Sequence, residues 1–185
     1  MNLSPEKARQ LLERADLVIP AAAVSEAVGR LAREISAQLA DTFPLVLCVM
    51  RGSIIFAGQL LLQLRFPLEL DYLEVTRYGT ATQGGEIAWK VNPGSGVAGR
   101  VVLALDDILD EGQTLASIRD QVLGAGASRF YSVVFAEKDT GRPKSIGADF
   151  VGVHVPDRYV FGFGMDVQGA WRNLPEIYAL NERDR

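Results

Sequence analysis

Residues 100–116 read RVVLALDDILDEGQTLA, and this stretch decides the fold. It begins with an apolar run, Val101 to Leu105, which is typical of a strand that a parallel sheet buries on both faces. Acidic residues end the run, and Gly112 then opens a helical pattern. Where the strand meets the helix, four carboxylates lie within six residues: Asp106, Asp107, Asp110 and Glu111.

This junction has the chemistry of a site for a phosphorylated sugar. Amide groups at a helix start lack partners within the helix and carry partial positive charge, so they suit a phosphate. Adjacent side chains at a strand end point to opposite sides, so Asp106 and Asp107 cannot both face one way. Carboxylates beside a phosphate would repel it unless Mg²⁺ or sugar hydroxyls lie between them. Acidic residues after a strand often only cap the next helix, but four within six residues exceed what a cap needs.

The segment LDDILDEGQT, residues 105–114, resembles the phosphoribosyl pyrophosphate signature of the type I phosphoribosyltransferases. The resemblance implies that Asp106 and Asp107 hold the ribose hydroxyls, directly or through Mg²⁺. It also implies a cradle for the 5′-phosphate, formed by one loop: Asp110, Glu111, Gly112, Gln113 and Thr114. Glu111 departs from the family pattern, which usually has Thr or Ser there. More of the phosphate binding would then fall to backbone amides and to Thr114.

Composition sets the class of protein. The chain has 185 residues, of which 48% are hydrophobic and 23% are charged, as in ordinary globular proteins. We expect a single domain over 1–185, with a core at about 20–155 and a C-terminal hood segment at about 156–185. No apolar run is long enough to span a membrane, the N-terminus is unlike a signal peptide, and the single cysteine is typical of a reducing cytoplasm. A net charge of −4 argues against a nucleic-acid partner.

Apolar segments on either side of the central stretch predict an α/β fold. We expect strands at 45–50, 68–76, 130–136 and 149–155, and helices at 5–15, 24–39, 54–64 and 112–124. The resemblance implies a mostly parallel central sheet flanked by helices, the type I phosphoribosyltransferase fold, with a small hood and a mobile lid loop. Arg51 and Gly52 follow the first of these strands and make a second possible anion site, which the resemblance assigns to pyrophosphate.

The segment from Arg77 to Gly96 lacks a regular pattern. Two interpretations stay open: a β-hairpin centred on Gly84-Gly85, and a loop that acts as an active-site lid. Both could hold, since a hairpin can close as a lid. The start Arg77-Tyr78-Gly79 is similar to the mobile catalytic loop of the family, which implies that Arg77 and Tyr78 approach the substrate. Closure would exclude water from the activated sugar.

The likeness continues into the C-terminal segment. The residues that match the hood of the hypoxanthine-guanine phosphoribosyltransferases in order and spacing are PDRYV at 156–160, Gly162, Asp166 and WRNL at 171–174. The resemblance implies that Tyr159 stacks on the base and that the main-chain carbonyl of Val160 accepts from its edge. Arg172 would join the pyrophosphate site, and Asp166 would lie near a second Mg²⁺.

Lys138 comes at the end of the strand predicted at 130–136, on the sheet edge where open α/β proteins bind ligands. Its ammonium offers donors and no acceptor, so it suits the O6 carbonyl of a purine and disfavours the amino group of adenine. We therefore expect 6-oxopurines as substrates. His154, the one histidine, lacks the neighbouring ligand spacing of a metal site and is interpreted as structural.

Together these features predict a purine salvage transferase. It would move the 5-phosphoribosyl group from phosphoribosyl pyrophosphate to hypoxanthine or guanine, with Mg²⁺, giving IMP or GMP and pyrophosphate. Asp110 would serve as general acid–base at purine N7, or only hydrogen-bond there. The alternatives are a xanthine-accepting relative, and an RNA-binding regulator of pyrimidine genes, which needs a basic face that this acidic chain lacks. A receiver-like module would leave Arg51 and the hood without a purpose. Relatives of this fold commonly pair, so we expect a homodimer or homotetramer.

Overall fold

The computed structural model describes residues 3–78, 86–92, 94–181 and 183, and of 76–78, 86, 87 and 95 it describes the backbone. The helices are α1 (Pro5–Arg14), α2 (Ala21–Leu39), α3 (Ile54–Leu61) and α4 (Gln113–Gly124), with a 3₁₀ turn at Ser95–Val97. The strands are β1 (Asp16–Ile19), β2 (Leu45–Met50), β3 (Glu69–Tyr78), β4 (Glu86–Val91), β5 (Val101–Leu109), β6 (Arg129–Asp139), β7 (Phe150–Pro156), β8 (Val160–Phe161) and β9 (Ile177–Ala179).

A six-stranded sheet forms the centre, in the order β4-β3-β2-β5-β6-β7. Every neighbouring pair is parallel except β3 and β4, so the predicted fold class is confirmed. Because β2, β5 and β6 are parallel neighbours, their carboxyl ends meet at one edge of the sheet. That edge carries the residues which follow Met50, Asp106 and Glu137.

The core lies on both faces of this sheet. On one face α2 and α3 cover β2, β5 and β6, with Phe56 and Phe135 fully buried between them. On the other face α4 packs Ile118 and Val122 against the neighbouring strands. Apolar runs such as the one in β5 are explained by this double cover, since a strand buried on both sides has no solvent-facing positions.

Two strands at the site edge are longer than the apolar pattern predicts. β5 continues through Asp106 and Asp107 to Leu109, and β6 continues through Lys138 to Asp139. Ladder pairing between the two strands runs on as far as Leu109 with Glu137. The backbone therefore stays in the sheet while the side chains change from apolar to charged, which is why hydrophobic periodicity ends too early.

The segment after β3 is partly a hairpin. β3 and β4 pair antiparallel from Glu74 with Val91 to Tyr78 with Glu86. Arg77 and Tyr78 therefore belong to β3 by their backbone, and the prediction that they break the strand pattern is wrong, because pairing with β4 carries the ladder past Thr76. Residues 79–85, on which the lid prediction depends, lie outside the described residues, as do the side chains of Arg77 and Tyr78.

A small antiparallel sheet, β1-β9-β8, forms the hood. The sequence did not predict β1, and it placed the hood at about 156–185, apart from the helix predicted at 5–15. In the structure α1 packs Leu11 against Phe161 of the hood, and Trp171 Nε1–H donates to the carbonyl of Ala8, with N···O 2.7 Å. The N-terminal residues therefore complete the hood. None of the described helices has the length and apolar character needed to cross a membrane.

Candidate active site

A cleft of about 520 Å³ opens at the carboxyl edge of the sheet. A smaller pocket of about 200 Å³ adjoins it and shares several of its walls. The predicted site residues that line the cleft are Arg51, Gly52, Asp106, Asp107, Asp110, Glu111, Gly112, Thr114, Asp166 and Arg172. Those that line the smaller pocket include Lys138, Tyr159 and Val160. Gln113 begins α4 and is not among the lining residues.

The two adjacent aspartates of β5 form the acidic floor. The Asp107 amide donates to Asp106 Oδ1, with N···O 2.9 Å. Burial raises the pKa of Asp106 well above its ordinary value, and the negative charge of Asp107 raises it further. Burial also raises the pKa of Asp107, against the opposing effects of a hydrogen bond with Asp106 and the charge of Arg172. A cation at this floor would therefore relieve an unfavourable concentration of negative charge.

Glycines let three chain segments stack beside this floor. A Cβ at Gly52 would lie 1.9 Å from Asp107 Oδ2, so only glycine leaves room for the carboxylate. A Cβ at Gly164 would lie 2.1 Å from the carbonyl oxygen of Gly52, and the φ of Gly164 is +104°. Close packing thus fixes the turn after β2 against both the acidic floor and the hood. The peptide bond between Met50 and Arg51 is cis.

The start of α4 forms the other end of the cleft. Gly112 occupies the N-cap position with φ +80°, a left-handed conformation that favours glycine, and it supplies no side-chain cap. A helix start presents amides that the helix itself does not use, together with a partial positive charge. Gly112 and Thr114 both line the cleft. The position thus has the form of a phosphate site.

An ion pair joins the cleft to the smaller pocket. Lys138 Nζ lies 2.6 Å from Asp110 Oδ2. The lysine side chain is 14% exposed, whereas that of Asp110 is 48% exposed. Tyr159 and Val160 form the neighbouring wall. Burial raises the pKa of the Tyr159 phenol, and its hydroxyl donates to the main-chain carbonyl of Asp166, with O···O 3.0 Å. One ammonium, one carboxylate and one aromatic ring therefore surround a space that suits a planar polar base.

A second ion pair closes the hood side of the cleft. Arg172 donates to the Asp166 carboxylate through one guanidinium nitrogen and to the Gly164 carbonyl through another, at 2.6 Å. The second carboxylate oxygen of Asp166 accepts from the Gly169 amide, at 2.6 Å. Arg172 is thereby held over the cleft, and Asp166 is already engaged by protein donors.

The structure adds two charged residues to the cleft lining that the sequence did not indicate, Glu74 and Lys90. Glu74 Oε1 lies 3.1 Å from Lys90 Nζ and 3.8 Å from Arg51 Nε. Lys90 faces the cleft because β4 folds back beside β3, a pairing that no local sequence signal reveals. Only a prediction of the β3–β4 register could have placed this second cation next to Arg51.

The donor chemistry suits Mg²⁺ held jointly with a ligand. Carboxylate oxygens are the ligands that this hard cation prefers, and it commonly takes one or two of them together with substrate phosphates. Within the described residues there is no cluster of three His, Cys, Asp or Glu side chains that would hold a metal alone. His154 is exposed and lies 3.3 Å from Asp139 Oδ1. Burial raises the pKa of the Cys48 thiol to about 11, so it is no nucleophile.

Fold and site together define a class: α/β proteins that bind a phosphorylated sugar or nucleotide at the carboxyl edge of a parallel sheet. The family model for the phosphoribosyl transferase domain matches residues 20–169, and the chain belongs to this family.

Individual relatives within this family are similar over most of the chain. The chain is 35% identical over 158 residues to a hypoxanthine-guanine phosphoribosyltransferase of Bacillus subtilis, covering 85% of this chain and 88% of that one. A protein of the same name from Streptococcus thermophilus is 32% identical, with 82% and 85% covered. Among solved structures, a hypoxanthine-guanine phosphoribosyltransferase of Bacillus anthracis gives a TM-score of 0.83 at 26% identity, with 90% and 98% covered. A hypoxanthine phosphoribosyltransferase of Staphylococcus aureus shares the fold, with a TM-score of 0.87 at 24% identity and coverage of 95% and 96%.

Proposed function

We propose that this protein transfers the 5-phosphoribosyl group from phosphoribosyl pyrophosphate to a 6-oxopurine, hypoxanthine or guanine, releasing pyrophosphate in purine salvage. One observation carries the proposal. Lys138 and Asp110 are paired at 2.6 Å where a base-sized pocket opens into an acidic cleft. The named relatives are consistent with this assignment.

The purine is recognised by donors at one edge and by stacking on one face. Lys138 donates to O6, which adenine lacks, so the exocyclic amino group of adenine would meet an ammonium with no acceptor. Tyr159 stacks on the ring, and the Val160 carbonyl accepts from its edge. An aromatic face and a few directed polar groups are the usual composition of such pockets.

The leaving group and the sugar occupy the cleft. Asp106 and Asp107 hold the ribose hydroxyls and would hold Mg²⁺ together with oxygens of the substrate, while Asp166 would lie near a second ion. When bound, Mg²⁺ neutralises charge that develops on pyrophosphate. Arg51, Gly52 and Arg172 receive the pyrophosphate, and Lys90 extends this cationic wall. The amides at the start of α4 and Thr114 bind the 5′-phosphate, and Glu111 contributes no hydroxyl to that site.

Asp110 handles the proton at purine N7. Its carboxylate lies beside the base pocket and beside Lys138, which must turn toward O6 when a purine enters. That exchange frees an Asp110 oxygen at the moment N7 needs a partner. The residue then either takes up a proton there or holds N7 by a hydrogen bond, and substitution by asparagine distinguishes the two.

One assay panel tests the function. Purified protein is supplied with phosphoribosyl pyrophosphate and Mg²⁺, and with hypoxanthine, guanine, xanthine, adenine, uracil or orotate in turn. Formation of IMP or GMP, with little product from adenine, is the expected result. A preference for adenine or a pyrimidine would contradict the assignment, and turnover of xanthine at the rate of guanine would widen it. The proposed assembly is a cytoplasmic homodimer or homotetramer, and light scattering of the same preparation measures its mass.

A further inference from the structure

We propose that Glu137 and Lys144 are positioning residues whose ion pair holds the segment 140–149 against the start of α4 and thereby fixes the phosphate cradle. This segment connects β6 to β7. Neither residue is among those that line the cleft or the base pocket. The inference rests on the proposed function, because the cradle there binds the 5′-phosphate of the substrate.

The pair is shielded from solvent. Lys144 Nζ lies 2.7 Å from Glu137 Oε1, and the two side chains are only 14% and 20% exposed. Exposed ion pairs contribute little to folding stability. Removing one partner of a shielded pair is costly, because it leaves an uncompensated charge away from water. The Glu137 side chain belongs to the strand that also carries Lys138. The segment is therefore tied to the same strand that presents the base-recognition lysine.

The anchored segment touches the cradle directly. The Ser145 amide donates to the Glu111 carbonyl, with N···O 3.0 Å. A Cβ at Gly112 would lie 2.9 Å from the carbonyl oxygen of Ile146 and 3.0 Å from its amide nitrogen. Ile146 also packs against the buried cluster that includes Leu115 of α4. The residues that immediately follow Lys144 thus hydrogen-bond to the Glu111 carbonyl and lie close to Gly112.

These contacts determine where an amide of the cradle points. Because a trans peptide is planar, the carbonyl of Glu111 and the amide of Gly112 point in opposite directions. The bond from Ser145 holds that carbonyl toward the segment, so the Gly112 amide points away from it. Gly112 has φ +80° and no side-chain cap, and a glycine resists peptide rotation less than other residues. The orientation therefore depends on the segment staying in place.

The far end of the segment has its own attachment. Asp149 Oδ2 accepts from the amide and the hydroxyl of Ser132, at 2.8 and 3.0 Å. Loss of the Glu137–Lys144 pair would release the middle of the segment, next to Ser145, while this end stays bound. Arg142 of the same segment faces Asp157 at 3.8 Å, with side chains 68% and 50% exposed, and serves as the matched control.

The test compares a nucleotide with its nucleoside. The affinities of IMP and inosine are measured by calorimetry for the wild type and for Glu137→Gln, Lys144→Gln, Lys144→Arg and Arg142→Gln. We expect Glu137→Gln and Lys144→Gln each to weaken the affinity for IMP about tenfold, while the affinity for inosine changes by less than about twofold. Lys144→Arg and Arg142→Gln should bind IMP like the wild type. A double variant that combines Glu137→Gln with Lys144→Gln should bind IMP no more weakly than either single variant, because the two residues act as a unit.

Hydrogen exchange in the ligand-free protein gives a second readout. Amides 111–114 should exchange faster in Glu137→Gln than in Arg142→Gln, with the exchange of β5 unchanged. Equal loss of IMP and inosine affinity, or no loss of either, would overturn the positioning role. If the wild type binds neither compound, the proposed function is refuted. The positioning role is then judged by hydrogen exchange alone, and it is overturned if amides 111–114 exchange equally fast in Glu137→Gln and Arg142→Gln.

Discussion

Replacement of Gly52 by alanine is the sharpest test of how the site is assembled. The new Cβ would lie 1.9 Å from Asp107 Oδ2 and 2.3 Å from its Cγ, whereas ordinary contacts begin at 3.4 Å. The carboxylate must therefore move by about 1.5 Å, or the turn after β2 must retreat toward Gly164, whose own Cβ position lies 2.1 Å from the Gly52 carbonyl oxygen. The first movement takes the carboxylate out of its position in the acidic floor, and the second brings the turn closer to Gly164. Overpacking of this kind costs about 1–3 kcal/mol of folding stability.

The catalytic loss should exceed the loss of stability. A displacement of about 1 Å in a positioning group costs about 100-fold in rate, so kcat/KM for phosphoribosyl pyrophosphate should fall by about that factor in Gly52→Ala. Binding of the free purine, which the proposal assigns chiefly to Lys138, Tyr159 and Val160, should stay within about threefold of the wild type. Initial rates measured at varied concentrations of phosphoribosyl pyrophosphate and of the purine separate the effect on the sugar from the effect on the base.

A control in the neighbouring helix isolates the steric cause. Gly58 lies in α3, and a Cβ there would meet nothing within 4 Å. Gly58→Ala should therefore keep full activity and gain about 0.5–1 kcal/mol, as glycine-to-alanine changes in helices do. The backbone of Gly52 is not left-handed, so a loss in Gly52→Ala would come from the contact with Asp107 and not from a strained φ. Wild-type kcat/KM and an unchanged melting temperature in Gly52→Ala would refute the argument that Asp107 is packed against this turn.

Three further substitutions test separate parts of the structure. In metal-free protein, Asp106→Asn should raise stability by about 1 kcal/mol, or about 2–4 °C in Tm, while abolishing transfer. Burial raises the pKa of Asp106 well above its ordinary value, so the wild type loses stability as the pH rises through the raised pKa. The stability advantage of Asp106→Asn should therefore grow with pH in thermal melts. An advantage that shrinks with pH would contradict this argument. Asp110→Asn keeps an acceptor for Lys138 and should lower turnover at least about 100-fold if the carboxyl transfers the proton; near-normal turnover would leave only a hydrogen-bonding role. Trp171→Phe removes the bond to the Ala8 carbonyl and should lower stability by about 1 kcal/mol with activity kept, and an unchanged Tm would show that α1 is held to the hood by packing alone.

The sequence predicts the part of the fold that local pattern controls. β2, β5 and α4 could be located because buried strands and an amphipathic helix leave apolar runs and periodicity in the chain. The turn after β2 and the acidic end of β5 could be joined into one site because parallel neighbours end at one edge. The cleft brings these predicted residues together, and their individual roles stay predictions.

What the sequence could not predict depends on pairings between distant or irregular segments. β1 has four residues with no alternation of burial, and it pairs with β9, whose residues lie far away in the chain. Lys90 enters the cleft only because β4 pairs with β3 in one register. The contact between Ser145 and Glu111 joins a segment without regular structure to a helix start. Such pairings are settled by tertiary contacts, which leave no periodic signal.

The charge of the site predicts that the proposed substrate binds together with a cation. The charged side chains that line the cleft and the base pocket, among the described residues, are six carboxylates and four cations: Glu74, Asp106, Asp107, Asp110, Glu111 and Asp166 against Arg51, Lys90, Lys138 and Arg172. Lys138 is already paired with Asp110, and Arg172 with Asp166. A sugar carrying a phosphate and a pyrophosphate is negatively charged, and it would enter a site in which carboxylates outnumber cations. The buried carboxylates of the floor have raised pKa values. Calorimetry should accordingly detect phosphoribosyl pyrophosphate binding with Mg²⁺ and little or none with a chelator. Equal affinity in both buffers would mean that the amides at the start of α4 and the arginines hold the anion unaided, and that the acidic floor serves the sugar hydroxyls alone.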